Sequence, residues 1–223
     1  MPASSSAAPK PSYHFKRLRS TELMDLPGLD PSEREAALRG IEEISHWPGQ
    51  RRPLLMALLR VIGPASGRLK LVELGAGSGH LSRWVALELA RRGFEAEVLP
   101  TDLFPHPSVE KLDCLDPALP EADLYFSSLL LHHLDDASVS SMLALHASKA
   151  RLGFAHFDLQ RSLLHFYLAK ARIALAGLPR INQIDALLSI QQGYSRRELR
   201  DLAGPGPKIR WSFPFRWMLE WRR

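Results

Sequence analysis

The sequence predicts an α/β fold, a mostly parallel sheet with helices on both sides. Three observations predict it. From Leu69 onward, short apolar runs alternate with helical patterns, the βαβα rhythm that parallel pairing requires. Between the first such run and its helix lies the glycine-rich turn Gly75-Ala76-Gly77-Ser78-Gly79. The segment from Asp123 to Leu131 is apolar almost throughout, as expected of a strand covered on both faces.

The first twenty or so residues are rich in Ser, Ala and Pro, with little to bury, and read as a disordered tail. Residues 21–63 read as an N-terminal helical cap. Asp30-Pro31-Ser32-Glu33 supplies an N-cap, a proline at the first helical position and a capping-box acid. Ala37, Ile41 and Ile44 recur behind it at helical spacing, and Leu54, Leu55, Leu58, Leu59 and Ile62 suggest a second helix. Residues 64–223 form the main domain. Its first strand spans Leu69 to Leu74 and leads through the glycine turn to a helix ending near Arg92. Strands follow at Glu95–Leu99, Lys111–Leu115 and Asp123–Leu131. Asp135-Asp136 caps the next helix, where Val139, Met142, Leu143 and His146 share a face, and Arg151–Leu159 is the fifth strand. The segment from Arg161 to Ser195 is an insertion with one helix, from about Leu159 to Gly177. That helix has two apolar faces, a broad one with Leu164, Tyr167, Leu168 and Leu175, and a second with Phe166 and Ile173. Near the end, Phe215, Trp217, Leu219 and Trp221 alternate with Arg216, Met218, Glu220 and Arg222, the period of a strand.

Composition narrows the function classes. With 45% hydrophobic residues the chain of 223 fills a sizeable core without staples. Its single cysteine, Cys114, excludes an internal disulfide framework and a cysteine zinc cluster, and a reducing cytoplasm is the expected compartment. No apolar run reaches the ~18 residues of a membrane span, and the N-terminus has no secretory apolar core. The net charge of +5 comes from scattered arginines and reads as a solvated surface rather than a nucleic-acid patch.

The glycine loop is the most informative segment. Its spacing is G-x-G-x-G, and the position where a dinucleotide fingerprint has Gly or Ala is His80. Glu73 stands two residues before the first glycine, an acid unhelpful beside a pyrophosphate but useful beside an ammonium group. Asp102 follows the second strand, where a carboxylate can accept both ribose hydroxyls. Through VELGAGSG, TDLFP, LDCLDPALPEAD and SSLLLHHL the sequence resembles the class I S-adenosylmethionine-dependent methyltransferases, over roughly Leu69 to the last residue. It departs from many relatives in lacking a Pro-Gly-Gly turn before strand five. The resemblance implies a Rossmann-like seven-stranded sheet whose last strand is antiparallel. It also implies S-adenosylmethionine as cofactor, S-adenosylhomocysteine as product, and no metal. The cofactor residues it implies are Glu73, Gly75, Ala76, Gly77, Asp102, Leu103, Asp113, Cys114 and Ser128.

Methyl transfer to a phenol profits from a general base. His132 and His133, just past strand four, lie on the edge where α/β sheets bind ligands and are the candidate bases. His156 and Asp158 share one face of strand five and, with His165, are candidates for the acceptor pocket. His146 reads as structural. Relatives with N-terminal helices and a long insertion after strand five often modify phenolic, quinone-like or polyketide-type metabolites, so the resemblance implies a small hydrophobic acceptor. A methyltransferase for RNA or protein, a nicotinamide enzyme and a non-catalytic scaffold are the rival readings. A membrane contact through Phe166 and Ile173 is a further one, and nothing sets an oligomeric state.

Overall fold

The computed structural model describes residues 15–223 apart from 27, 48, 65–66 and 105. Its sheet has seven strands: β1 (Arg68–Leu74), β2 (Glu95–Asp102), β3 (Glu110–Lys111), β4 (Ala122–Ser128), β5 (Ala150–Leu159), β6 (Lys208–Ser212) and β7 (Arg216–Arg222). They lie in the order β3-β2-β1-β4-β5-β7-β6. The first five are parallel, whereas β7 runs antiparallel between β5 and β6. This is the Rossmann-like sheet with its antiparallel last strand. Because β1 connects outward to β2 while β4 lies on its other side, β1 and β4 flank the topological switch point, where such sheets open a ligand crevice.

The helices are α1 (Pro31–Ser45), α2 (Arg52–Ile62), α3 (His80–Ala90), α4 (Asp136–Lys149), α5 (Leu163–Ala176), α6 (Arg180–Gln192) and α7 (Arg196–Ala203). Several starts are capped by side chains. The Asp30 carboxylate accepts from Ser32 N–H at 2.8 Å, Asp135 accepts from Ser138 N–H at 2.7 Å, and Ser195 with Glu198 forms a full capping box. One face of the sheet carries α2 and α3, whose Leu54, Leu58, Ile62, Val85 and Leu89 pack on Leu71, Leu124 and Phe126. The other carries α4 and α7, with Val139, Met142 and Leu199 against Val72, Tyr125 and Leu219.

Several expectations need correction. Within the stretch read as a helical cap, α2 is not a cover but a core helix, buried through Leu54, Leu55, Ala57, Leu58, Val61 and Ile62. Within that stretch, α1 and the short 3₁₀ turn Leu23–Asp25 contribute no residue to the core on either face of the sheet. Of the expected loose tail, residues 1–14 lie outside the described residues, but the rest is held. Phe15 meets Phe166 edge-on at 5.8 Å, and Arg17 donates to Gln192 O at 2.6 Å and Leu134 O at 3.1 Å. The third strand is two residues long, so Asp113 and Cys114 lie in the turn beyond it. After β4 the chain forms a 3₁₀ turn at Leu131–His133 rather than more strand. The insertion holds a second helix, α6, which packs on α5, α1, the Leu23–Asp25 turn and the Leu131–His133 turn. On α5 the broad apolar face is the exposed one, Leu164 at 60% and Leu175 at 89%, while Ile173 of the narrow face is buried. Of the two residues read as a membrane contact, Ile173 is buried and Phe166 half-buried, so that face is not the exposed one.

Candidate active site

The site begins where β1 ends. Gly75, Gly77 and Gly79 have φ of 68°, 55° and 70°, a backbone only glycine adopts freely. Close neighbours add to the requirement, since a Cβ on Gly75 would stand 2.9 Å from Leu130 Cδ1, and one on Gly77 3.2 Å from Leu38 Cδ2 of α1. The loop is anchored to the neighbouring strand: Ala76 N–H donates to Thr101 O at 2.9 Å, and Gly77 N–H donates to Asp102 Oδ2 at 2.8 Å. The other Asp102 oxygen accepts from Phe104 N–H at 2.9 Å. A carboxylate has about four acceptor positions, so two remain for a ligand's hydroxyls. Burial raises the Asp102 pKa above its ordinary value. Leu103, next along, is exposed.

Glu73 is buried under α3, where the Ser82 hydroxyl donates to it, and burial pushes its carboxyl up to about 8. It holds α3 to β1 from below the loop. Asp113 accepts from Leu115 N–H at 2.9 Å, which shapes the turn after β3, and burial pushes the Cys114 thiol up to about 12. Ser128 closes β4, and the next residue, Leu129, stands at φ 61°, a strained conformation for a branched side chain. That turn places Leu130 against Gly75 and starts the 3₁₀ turn carrying the two histidines.

His156 is fully buried inside the fold rather than on an acceptor pocket. It sits in a chain of neutral groups: Ser127 Oγ is 2.9 Å from His156 Nδ1, His156 Nε2 is 3.3 Å from His146 Nδ1, and His146 Nε2 is 3.3 Å from Cys114 O. Burial lowers the pKa of both rings, that of His146 to about 4. His165 is likewise held: Nδ1–H donates to Gln160 O at 2.9 Å, Arg216 Nη1 donates to Nε2 at 3.3 Å, and the ring stacks on Phe215. Burial and then Arg216 take its pKa down to about 4.

His132, His133 and Asp158 come together with two acids the sequence did not single out. Asp158 accepts from Leu131 N–H at 2.6 Å and from His132 Nδ1 at 2.7 Å, so it orients both the turn and the ring. His132 Nε2 faces Glu22 at 3.5 Å. His133 Nδ1 is 2.9 Å from Asp25, and its Nε2 is 4.0 Å from Glu22. Glu22 and Asp25 come from the N-terminal strap, residues 15–26, which Asp185 of α6 pins by accepting from Leu23 N–H at 2.8 Å and Met24 N–H at 3.0 Å. Burial disfavours an imidazolium at His132, yet Asp158 and Glu22 outweigh it and push its pKa up to about 10. Burial likewise opposes the charge on Glu22, and His132 with His133 outweighs it to hold that carboxyl below its ordinary value. Sequence spacing could not reveal Glu22 or Asp25, which lie more than a hundred residues before the histidines and belong to no motif.

Two clefts border the sheet. One of about 220 Å³ lies between α1 and the loop after β2, lined by Arg34, Leu38, Phe104 and His106 among others. The other, of about 240 Å³, lies at the β6 edge between Met56, Arg60, Arg210 and Trp211, remote in the sheet order from the glycine loop.

Neither a family model nor a curated protein matches the sequence. Solved structures do match. Human N-acetylserotonin methyltransferase in complex with SAM is 16% identical with a TM-score of 0.53, over 86% of this chain and 56% of that one. Magnesium protoporphyrin IX methyltransferase from Synechocystis PCC 6803 with bound SAH is 18% identical with a TM-score of 0.50, over 90% and 91%. The plantazolicin methyltransferase BpumL in complex with SAH is 10% identical with a TM-score of 0.56, over 82% and 74%. This chain thus spans little more than half the length of the first of them. With the strand order and the glycine loop at the switch point, these likenesses establish that the chain has the fold of the class I S-adenosylmethionine-dependent methyltransferases.

Proposed function

We propose that the chain is an S-adenosylmethionine-dependent methyltransferase acting on a small, hydrophobic acceptor, with an oxygen of a phenolic, quinone-like or polyketide-type compound as the target atom. The observation that carries this reading is the Asp102 carboxylate at the end of β2, held on Gly77 N–H of the glycine loop with acceptor positions to spare. It combines a backbone that a ligand can approach closely with an acid suited to two vicinal hydroxyls. Nothing in the loop favours a dinucleotide, because the sixth position is His80. Two of the similar structures hold S-adenosylhomocysteine and one S-adenosylmethionine, and two are named as methyltransferases of N-acetylserotonin and magnesium protoporphyrin IX.

In this reading Gly75, Ala76, Gly77, Asp102 and Leu103 line the cofactor, while Asp113, Cys114 and Ser128 shape its far side. Glu73 acts from beneath the loop, through Ser82, by fixing the helix that follows. The cofactor supplies the reactive methyl group, and the protein aligns an acceptor with it. His132 stands between the carboxylates of Asp158 and Glu22, which fix its ring, and is a positioning residue rather than a base. His156 and His165 support the floor and the insertion, and α6 over the carboxyl edge sets acceptor choice.

Calorimetric titration of the full chain with S-adenosylhomocysteine, with NAD as control, tests the reading. One-to-one binding of the former alone is expected. Asp102→Ala should weaken it by roughly 10- to 100-fold, the worth of hydrogen bonds to a charged group. Folded protein that takes up no S-adenosylhomocysteine would overturn the assignment.

A further inference from the structure

We propose that Glu22, His132 and His133 form a binding site for a divalent transition-metal ion of the zinc type. Their ligand atoms lie within 4.8 Å of one another. The distances suit a shared ion better than direct hydrogen bonds. His132 Nε2 and His133 Nε2 stand 3.5 and 4.0 Å from Glu22 oxygens, whereas ligand atoms ~2.1 Å from a tetrahedral ion are ~3.4 Å apart.

The surrounding groups are arranged as around a metal. Each imidazole is held at Nδ1 by a carboxylate, Asp158 for His132 at 2.7 Å and Asp25 for His133 at 2.9 Å, which turns Nε2 toward Glu22. Glu22 is oriented too: its Oε1, which faces His132 Nε2, accepts from Ser189 Oγ at 2.5 Å and Gln192 Nε2 at 3.1 Å, and Oε2 faces His133 Nε2. Three carboxylates thus converge on two imidazoles in a largely buried space, an arrangement that needs positive charge. A divalent cation between neutral imidazoles supplies that charge. Two nitrogens and one oxygen suit zinc rather than magnesium or calcium, which take oxygen ligands. Three protein ligands leave a coordination position open, and the site is reached past His133 and Asp25, whose side chains are 26% and 31% exposed. If the methyltransferase reading holds, that position takes the acceptor's hydroxyl and lowers its pKa.

The test uses untagged, chelator-treated full chain without S-adenosylhomocysteine, so that its outcome is separate from the cofactor titration. Titration with zinc chloride should show one ion bound at micromolar or lower Kd, with no comparable binding of magnesium. His133→Gln, at the exposed position, should weaken zinc binding at least tenfold while keeping the circular dichroism spectrum, and Asp25→Asn should weaken it 10- to 100-fold through the Nδ1 partner. Zinc should raise the melting temperature of the parent and not of His133→Gln. Absence of zinc binding by folded protein, or binding unaffected by either substitution, would overturn the site.

Discussion

Glu73 shows how far one side chain's chemistry is set by where the chain puts it. Buried beneath α3, its carboxyl holds a proton up to about pH 8, against 4.5 in an open chain. The proton binds more tightly in the folded state, so its contribution is complete below pH 4.5 and lost as pH rises through 8. Glu73→Gln keeps the shape without the ionisation. Its melting temperature should therefore fall less than the parent's between pH 6 and 8.5, and above pH 8 it should be the more stable by an amount on the order of 2–5 kcal/mol. Equal pH profiles in thermal melts would show that Glu73 ionises freely. The sequence revealed the acid but not its setting. A carboxylate two residues before a glycine turn reads equally as a ligand group and as a brace, and only Ser82 opposite it separates the two.

At the scale of elements, periodicity succeeds where burial and polarity coincide. It found β1, α3, β4 and α4 because apolar side chains mark their inward faces. It missed α6 because the buried positions there include Asn182, Asp185, Ser189 and Gln192, so the apolar stripe that reveals a helix is absent. Three of these polar groups bind the strap, Asp185 through two N–H groups and Ser189 and Gln192 through Glu22, while Asn182 donates to Ala37 O of α1. On α5 the pattern gave two apolar faces, and no local rule says which one meets the protein. The fold decides: Ile173 is buried, and Leu164 is exposed. Ile173→Ser should lower stability by roughly 2–4 kcal/mol and Leu164→Ser by less than about 0.5 kcal/mol. Urea denaturation of both variants checks the contrast, and similar losses would mean that the exposed face is covered in solution.

Across the molecule, the parts far apart in sequence were the least legible. The sheet follows from consecutive βα units, which the chain states locally. The strap and α1 reach the carboxyl edge only through long-range packing, as when Leu38 comes to rest over Gly77. That contact sets a side chain of α1 against the glycine loop, and in the proposed reading cofactor entry moves it aside. Leu38→Ala should raise the association rate of S-adenosylhomocysteine several-fold in stopped-flow mixing, with no loss of melting temperature beyond about 5 °C. An unchanged rate would place entry elsewhere.

The order of strands also bears on how the chain is made. β5 is complete at Leu159, but its antiparallel partner begins only at Arg216, after α5, α6, α7 and β6. A ribosome therefore releases β5 with one edge open and keeps it open until β7 emerges and slots between β5 and β6. For that interval the nascent sheet offers its unpaired backbone to neighbouring chains, which makes late synthesis the stage most exposed to aggregation and most dependent on chaperones.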